Sequence, residues 1–222
     1  MKITTVSVRV RNAAQAARFY ADVLELPVER KPDLVAVTVG ATRLELVEDP
    51  VADGNLHLAI TIPTNKFLEA KRWVQERVDL FGTTDGDDFE GPPAWNARSL
   101  YFTGPDRSVL EFIVRRDLAN ATPGPFTSTD LLCVSEVGIA VPDVLAAVAW
   151  LNGDAEIAPY GDSFGSFAPV GDADGLLILV TAGRTWFPTA GRVAHESPIA
   201  ITAVGGRPGN YPLGPLGSLT IL

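Results

Sequence analysis

The feature that most constrains this chain is internal repetition: the order strand, helix, strands recurs along it. The first stretch reads ITTVSVRV, NAAQAARFYADVL, LVAVTV and TRLELV. Val6, Val8 and Val10 alternate with Ser7, Arg9 and Arg11, the period of a strand that buries one face. Asn12 suits a helix N-cap, Ala16, Phe19, Tyr20 and Val23 follow at helical spacing, and Pro27 lies just beyond the end. The order returns from residue 55. NLHLAITIP alternates as a strand, the spacing predicts a helix over 64–80 with Phe67, Val74 and Val78 buried, and RSLYFTG and VLEFIVR flank the turn GPDRS. It returns again from residue 133 as CVSEVGIAVPD, a helix VLAAVAWL capped by Asp143, and the strands FAPVG and GLLILVT around the turn GDADG.

Laid over one another, the opening strands align as SVRVR, HLAIT and EVGIA, which makes Ser7, His57 and Glu136 equivalent. The closing hairpins VGATRLELV, TGPDRSVLEFIV and VGDADGLLILV make Glu45, Glu111 and Ile178 equivalent. The first hairpin is two residues shorter, and a slip of two keeps a side chain on the same face of a strand. These positions all lie opposite the continuous apolar rows, which must face the helices. Small neighbours, Ala59, Thr61, Gly138 and Ala140, leave space above that second face, as a binding cup requires.

Composition narrows the function classes. A net charge of −9, with four lysines and none after Lys71, argues against nucleic acid or an anionic membrane as a partner. The longest apolar runs fall short of a membrane span, so a cytoplasmic protein is expected. The single cysteine, Cys133, excludes a cysteine-based zinc cluster and sits in an apolar run as a buried thiol would. Eight of the thirteen residues from Gly205 to Gly217 are glycine or proline, which predicts an irregular tail over 205–222. There is no GxSxG, P-loop, CxxC or GxGxxG behind a strand.

A strand, helix, three-strand repeat with histidine in a first strand and glutamate in a last one resembles the vicinal oxygen chelate superfamily, which includes glyoxalases, bleomycin-resistance proteins and extradiol dioxygenases. FYADVLELPV, HLAI and TGPDRSVLEFI carry the resemblance over residues 1 to about 118, and it extends more weakly over 131–204. It implies an α+β fold of three βαβββ modules, with 1–54 and 55–120 paired into a curved sheet cup, helices outside, and 131–204 a degenerate third module. Because modules of this family work in pairs, an unpaired third one implies a homodimer or a cover.

The resemblance further implies a divalent metal, iron, manganese, nickel or zinc, at Ser7, Glu45, His57 and Glu111. His57, Glu111 and Glu45 suit such an ion. Ser7 does not, and if that departure abolishes the site no metal is bound. Glu45 or Glu111, released from the ion, would shuttle a proton. Arg9 and Arg43 have two readings: forked contacts to an anionic substrate, or neutralisation of Glu45 and Glu111 in place of a metal. His57 is either a ligand or a structural imidazole, and His195 in RVAHESP reads as a loop residue. In AGRTWFPTA, Arg184, Trp186 and Phe187 form either a wall over a cavity or a packing anchor. Trp95, Tyr101 and Trp186 are candidate cavity walls.

Two functions are therefore expected in competition. One is a metal-dependent lyase, isomerase or dioxygenase acting on a small oxygen-bearing substrate. The other is a metal-free protein that sequesters a drug or metabolite, or a degenerate non-catalytic member of the same fold.

Overall fold

The structure, a computed structural model, describes all residues 1–222. It contains four strand-rich units. The first comprises β1 (Lys2–Val10), α1 (Ala13–Arg18), a π-helical turn over Phe19–Val23, β2 (Val28–Arg30), β3 (Val35–Val39) and β4 (Thr42–Glu48). The second comprises β5 (His57–Thr61), α2 (Phe67–Gln75), β6 (Phe89–Glu90), β7 (Ala97–Thr103) and β8 (Val109–Arg115). The third has β9 (Cys133–Val141), α3 (Val144–Asp154), β10 (Phe167–Asp172) and β11 (Gly175–Thr181), and the fourth has only β12 (Ile199–Val204), β13 (Gly209–Leu213) and β14 (Gly217–Ile221).

The strands form two seven-stranded mixed sheets, in the orders β13-β14-β12-β1-β4-β3-β2 and β10-β11-β9-β5-β8-β7-β6. Within each unit the first strand runs parallel to the last, as β1 does to β4 and β5 to β8. Between units the first strands pair antiparallel, β1 with β12 and β5 with β9. The expected cup between residues 1–54 and 55–120 is therefore not the arrangement found. The second unit joins the third, and the first joins the fourth.

The Gly- and Pro-rich end is folded into the first sheet. Its glycines and prolines fall mostly in the turns over 205–208 and 214–216, where Gly205, Gly206 and Gly214 take positive φ. Pro212 sits on β13 at the sheet edge, where a missing N–H breaks no ladder. Residues 199–204, expected as the close of the third module, open the fourth instead. Since all four units pair within one chain, the reason for expecting a homodimer disappears.

Local chemistry explains the helices. Asn12 caps α1 by accepting from the Gln15 N–H at 2.8 Å, and Asp143 caps α3 through the Ala146 N–H at 2.9 Å. The second helix is shorter than the predicted 64–80, and Phe67, Ala70 and Val74 are its buried residues. The apolar rows behave as their period requires. Val6, Val8, Val10, Leu44 and Leu46 of one sheet and Leu58, Ile60, Leu110 and Phe112 of the other join the helices in one core. No helix is long and apolar enough to cross a membrane.

The long connection from β8 to β9 is fastened by a buried ion pair. Lys66 Nζ donates to both carboxylate oxygens of Asp130 at 2.9 Å and to the carbonyls of Pro123 and Pro125. Burial alone would raise the Asp130 pKa, but hydrogen bonds from Lys66, the Thr127 N–H and Thr122 outweigh it and hold the carboxyl below its ordinary 3.8. Its stabilisation is thus complete above that value and fades as pH falls below it. Asp130→Asn, which strands the ammonium, should destabilise the protein by about 3–5 kcal/mol in urea unfolding at neutral pH. The gap between wild type and variant should shrink on acidification below pH 4.

Candidate functional site

Strand alternation places the site on the face of the second sheet opposite the main core. His57 and Ala59 of β5, Val109, Glu111, Ile113 and Arg115 of β8, and Glu136, Gly138 and Ala140 of β9 share this face. The β5 to β9 pairing slips between Ala59 and Ile60. Ala59 faces Glu136, Ile60 faces Val134, and Ser135 is the extra residue. Bulges of this kind re-aim side chains beside functional sites. Here Ser135 and its neighbour Glu136 both reach Arg115.

Three donor-type side chains converge there. His57 Nε2 lies 3.5 Å from Glu111 Oε2 and 3.7 Å from Glu136 Oε2, and the ligand-type atoms all fall within 4.8 Å of one another. The residues are 6%, 3% and 3% exposed. The other ring nitrogen, Nδ1, stands 3.2 Å from the Val109 carbonyl, which assigns its proton to that bond. Arg115 is fully buried; its guanidinium donates to Glu136 Oε1 and, at 3.3 Å, to Ser135 Oγ, which accepts from Thr61 Oγ1 at 2.7 Å.

The electrostatics follow from burial. Loss of water raises the Glu111 pKa to about 7, reinforced by the Glu136 charge and opposed by His57, Ser99 and Arg115. For His57, burial pulls downward, but the hydrogen bond to Glu136 and the charges of Glu111 and Glu136 leave the imidazole raised above 6.5. Burial and the same two carboxylates push the Tyr101 phenol well above 10.

A cavity of about 340 Å³ opens onto this cluster, walled by Phe89, Trp95, Tyr101, Phe167, Trp186 and Phe187. The Trp186 ring lies over His57 with centroids 5.3 Å apart, and Phe187 meets Phe89 and Tyr101 edge to face. Arg184 stands over the Phe167 ring at 4.8 Å and lines the same cavity. The AGRTWFPTA segment thus does both things its sequence allowed. Trp186 is buried against the sheet, and Phe187, 57% exposed, forms the rim.

The structure therefore brings His57, Glu111, Trp95, Tyr101 and Trp186 together and leaves Ser7, Arg9, Arg43 and Glu45 in the other sheet. Ser7 lies opposite Glu45 on β4. Glu45 accepts from Arg43 Nε at 2.8 Å on a face open to water, so it is paired internally and remote from His57. Arg9 and His195 line an adjoining crevice of about 240 Å³ between the sheets, which shares Trp186 with the cavity above His57. The place expected for Glu45 beside the other two is occupied by Glu136. The repeat alignment had made Glu136 equivalent to His57, but pairing of the second unit with the third was not legible. Arg115, four residues beyond Glu111 on the same face, carried no motif.

No family model matches the sequence, and neither does any curated protein. Solved structures do. A "putative dioxygenase" from Bacillus subtilis superposes with a TM-score of 0.66 over 100% of this chain and 85% of that one, at 16% identity. Glyoxalase I from Zea mays superposes with a TM-score of 0.54 over 90% of this chain and 74% of that one, also at 16% identity. The chain thus has the vicinal oxygen chelate fold, and its α+β architecture of paired modules is that of these proteins.

Gly138 shows how tightly the site is built. A Cβ there would lie 2.5 Å from a Trp186 ring carbon and 2.9 Å from His57 Cβ. Gly138→Ala should displace the indole from the imidazole at a stability cost of about 1–3 kcal/mol. Tryptophan fluorescence and thermal unfolding would show it; unchanged emission would mean that the indole does not depend on this gap.

Proposed function

We propose that the protein is a metal-dependent enzyme of the lyase, isomerase or dioxygenase type, acting on a small oxygen-bearing organic substrate. The site is the cavity between the second and third units, with His57, Glu111 and Glu136 as the ligands. One observation carries this reading. With Nδ1 donating to the Val109 carbonyl, Nε2 faces two carboxylate oxygens and is placed to ligate an ion when deprotonated. Two buried carboxylates turned toward one point require positive charge beyond that of Arg115, which an ion held by all three side chains supplies.

The residues fit a divalent ion. Metal bonds of about 2.0–2.2 Å to imidazole and carboxylate put neighbouring donor atoms roughly 3–4 Å apart; here the imidazole nitrogen is 3.5 and 3.7 Å from the two carboxylates, and all three donors lie within 4.8 Å of one another. The Val109 carbonyl orients the imidazole as the outer partner of a ligating histidine does. Imidazole with carboxylates suits iron, manganese, nickel or zinc. When bound, such an ion supplies Lewis acidity to two neighbouring oxygens of a substrate.

The chain's own groups supply the rest. Ile178, the fourth equivalent position, lines the cavity and offers no ligand, leaving that side of the centre to substrate or water. Tyr101, Trp95 and the phenylalanines hold the organic part by apolar contact. Glu111, which has no guanidinium partner, takes up and returns the substrate proton.

The alternative is a metal-free binding protein, and one observation favours it: Glu111 and Glu136 are balanced if Arg115 is joined by a protonated His57. Elemental analysis of the purified protein, with thermal shifts in added iron, manganese, nickel and zinc, separates the two. A metal enzyme should contain one ion per chain and gain several degrees, about 2.7 kcal/mol at a hundredfold excess over Kd, and His57→Ala should abolish the gain. No ion and no shift in any metal would favour the binder. Ile178→Glu, which adds a fourth donor, should tighten metal binding, whereas Glu45→Gln, on the other sheet, should leave it unchanged.

A further inference from the structure

We infer that Arg115 is a positioning residue: it occupies one oxygen of Glu136 so that this carboxylate offers the metal centre a single, fixed oxygen, and it leaves Glu111 as the carboxylate free to change its contacts. The inference rests on the metal-site reading above and goes beyond it by separating the roles of two chemically identical ligands.

The asymmetry is geometric. Arg115 donates to Glu136 Oε1, and Oε2 of the same carboxylate faces His57 at 3.7 Å. Glu111 forms no bond with any lysine or arginine; its polar neighbours are the Ser99 and Tyr101 hydroxyls and the His57 imidazole. Arg115 is itself braced, because its second terminal nitrogen donates to Ser135 Oγ at 3.3 Å and that hydroxyl is bonded to Thr61. The brace runs across three strands, β5, β8 and β9, and uses the residue that the bulge inserts. Held through its other terminal nitrogen by Ser135, the planar guanidinium presents its N–H to Glu136 Oε1 in one fixed direction, as a freely rotating ammonium could not.

Stability alone is a weak reason for this arrangement. Arg115 is fully buried, and its Nε has no partner. A buried ion pair with an unpaired donor is no more stable than a well-packed apolar pair of similar volume. Its specific effect is on direction. Glu136, on a strand that bulges at the preceding residue, would otherwise be free to turn both oxygens toward the centre.

The test uses the full-length protein and cobalt(II), whose visible absorption reports ligand number and geometry, with affinity measured by titration. Wild type should bind cobalt. Arg115→Met should bind it about 10–100-fold more weakly and with an altered spectrum, while Arg115→Lys, which restores the charge but not the fork, should recover stability more than spectrum. Should neither variant fold, Ser135→Ala decides, since it removes only the brace; a changed cobalt spectrum in a protein of near wild-type melting temperature is then expected. If a folded Arg115 variant, or Ser135→Ala where neither folds, gives wild-type affinity and spectrum, Arg115 is not a positioning residue. Absence of cobalt binding by wild type overturns the metal-site reading, and this inference with it, before any variant is compared.

Discussion

The antiparallel join between β5 and β9 is the contact on which the site depends. It brings the histidine strand of one unit against the glutamate strand of the next, so that Ala59 faces Glu136 and the imidazole of His57 lies beside it. Neither unit holds the cluster alone: the second supplies His57, Glu111 and Arg115, and the third supplies Glu136, Ser135 and Gly138. The bulge at this join allows Ser135 and Glu136, consecutive in sequence, to reach the same guanidinium. A regular ladder would have turned one of them to the opposite face.

Two carboxylates beneath a tryptophan and against an imidazole form an expensive arrangement, since each buried charge carries an effective penalty of several kcal/mol unless compensated. The compensation is distributed unequally. Glu136 has a permanent cation in Arg115. Glu111 relies on His57 and on the hydroxyls of Ser99 and Tyr101. Environments that separate two like groups in this way mark acid–base function in other sites. They also explain why the aromatic walls matter: Trp186 and its neighbours exclude water, which strengthens every charge interaction beneath them.

Much of the fold was legible because strands report their faces. The period-two rows, the caps Asn12 and Asp143, and the equivalence of Ser7, His57 and Glu136 can be read from residue order, and the recurrence of these patterns gives the repeating unit. Which unit joins which is a different kind of information. It depends on the first-strand pairs β1 with β12 and β5 with β9, whose residues are far apart in sequence and are apolar rows alike, so the pattern of one strand does not name its partner. The final unit was hidden for a related reason. Its glycines and prolines look like disorder when counted, yet five of the eight stand in turns, Gly209 and Gly217 begin strands, and Pro212 lies on an edge. Arg115 was illegible because a guanidinium in a strand reads as surface charge until the opposite carboxylate is known.

The molecule contains its own comparison. The first sheet repeats the architecture of the second and carries a glutamate, arginines and a serine on the corresponding face, but no histidine. Residues after β11 fold back over the second sheet and place Trp186 on His57, whereas Arg43 and Glu45 pair beside water, with side chains 36% and 23% exposed. An ion pair so exposed is screened and contributes at most about 1 kcal/mol, and it leaves no unmet demand for charge. The same residue types therefore make a site in one sheet and a solvated surface in the other. What distinguishes them is burial: Glu111 and Glu136, each 3% exposed, depend on Arg115 and His57 for compensation, whereas Glu45 keeps its contact with water.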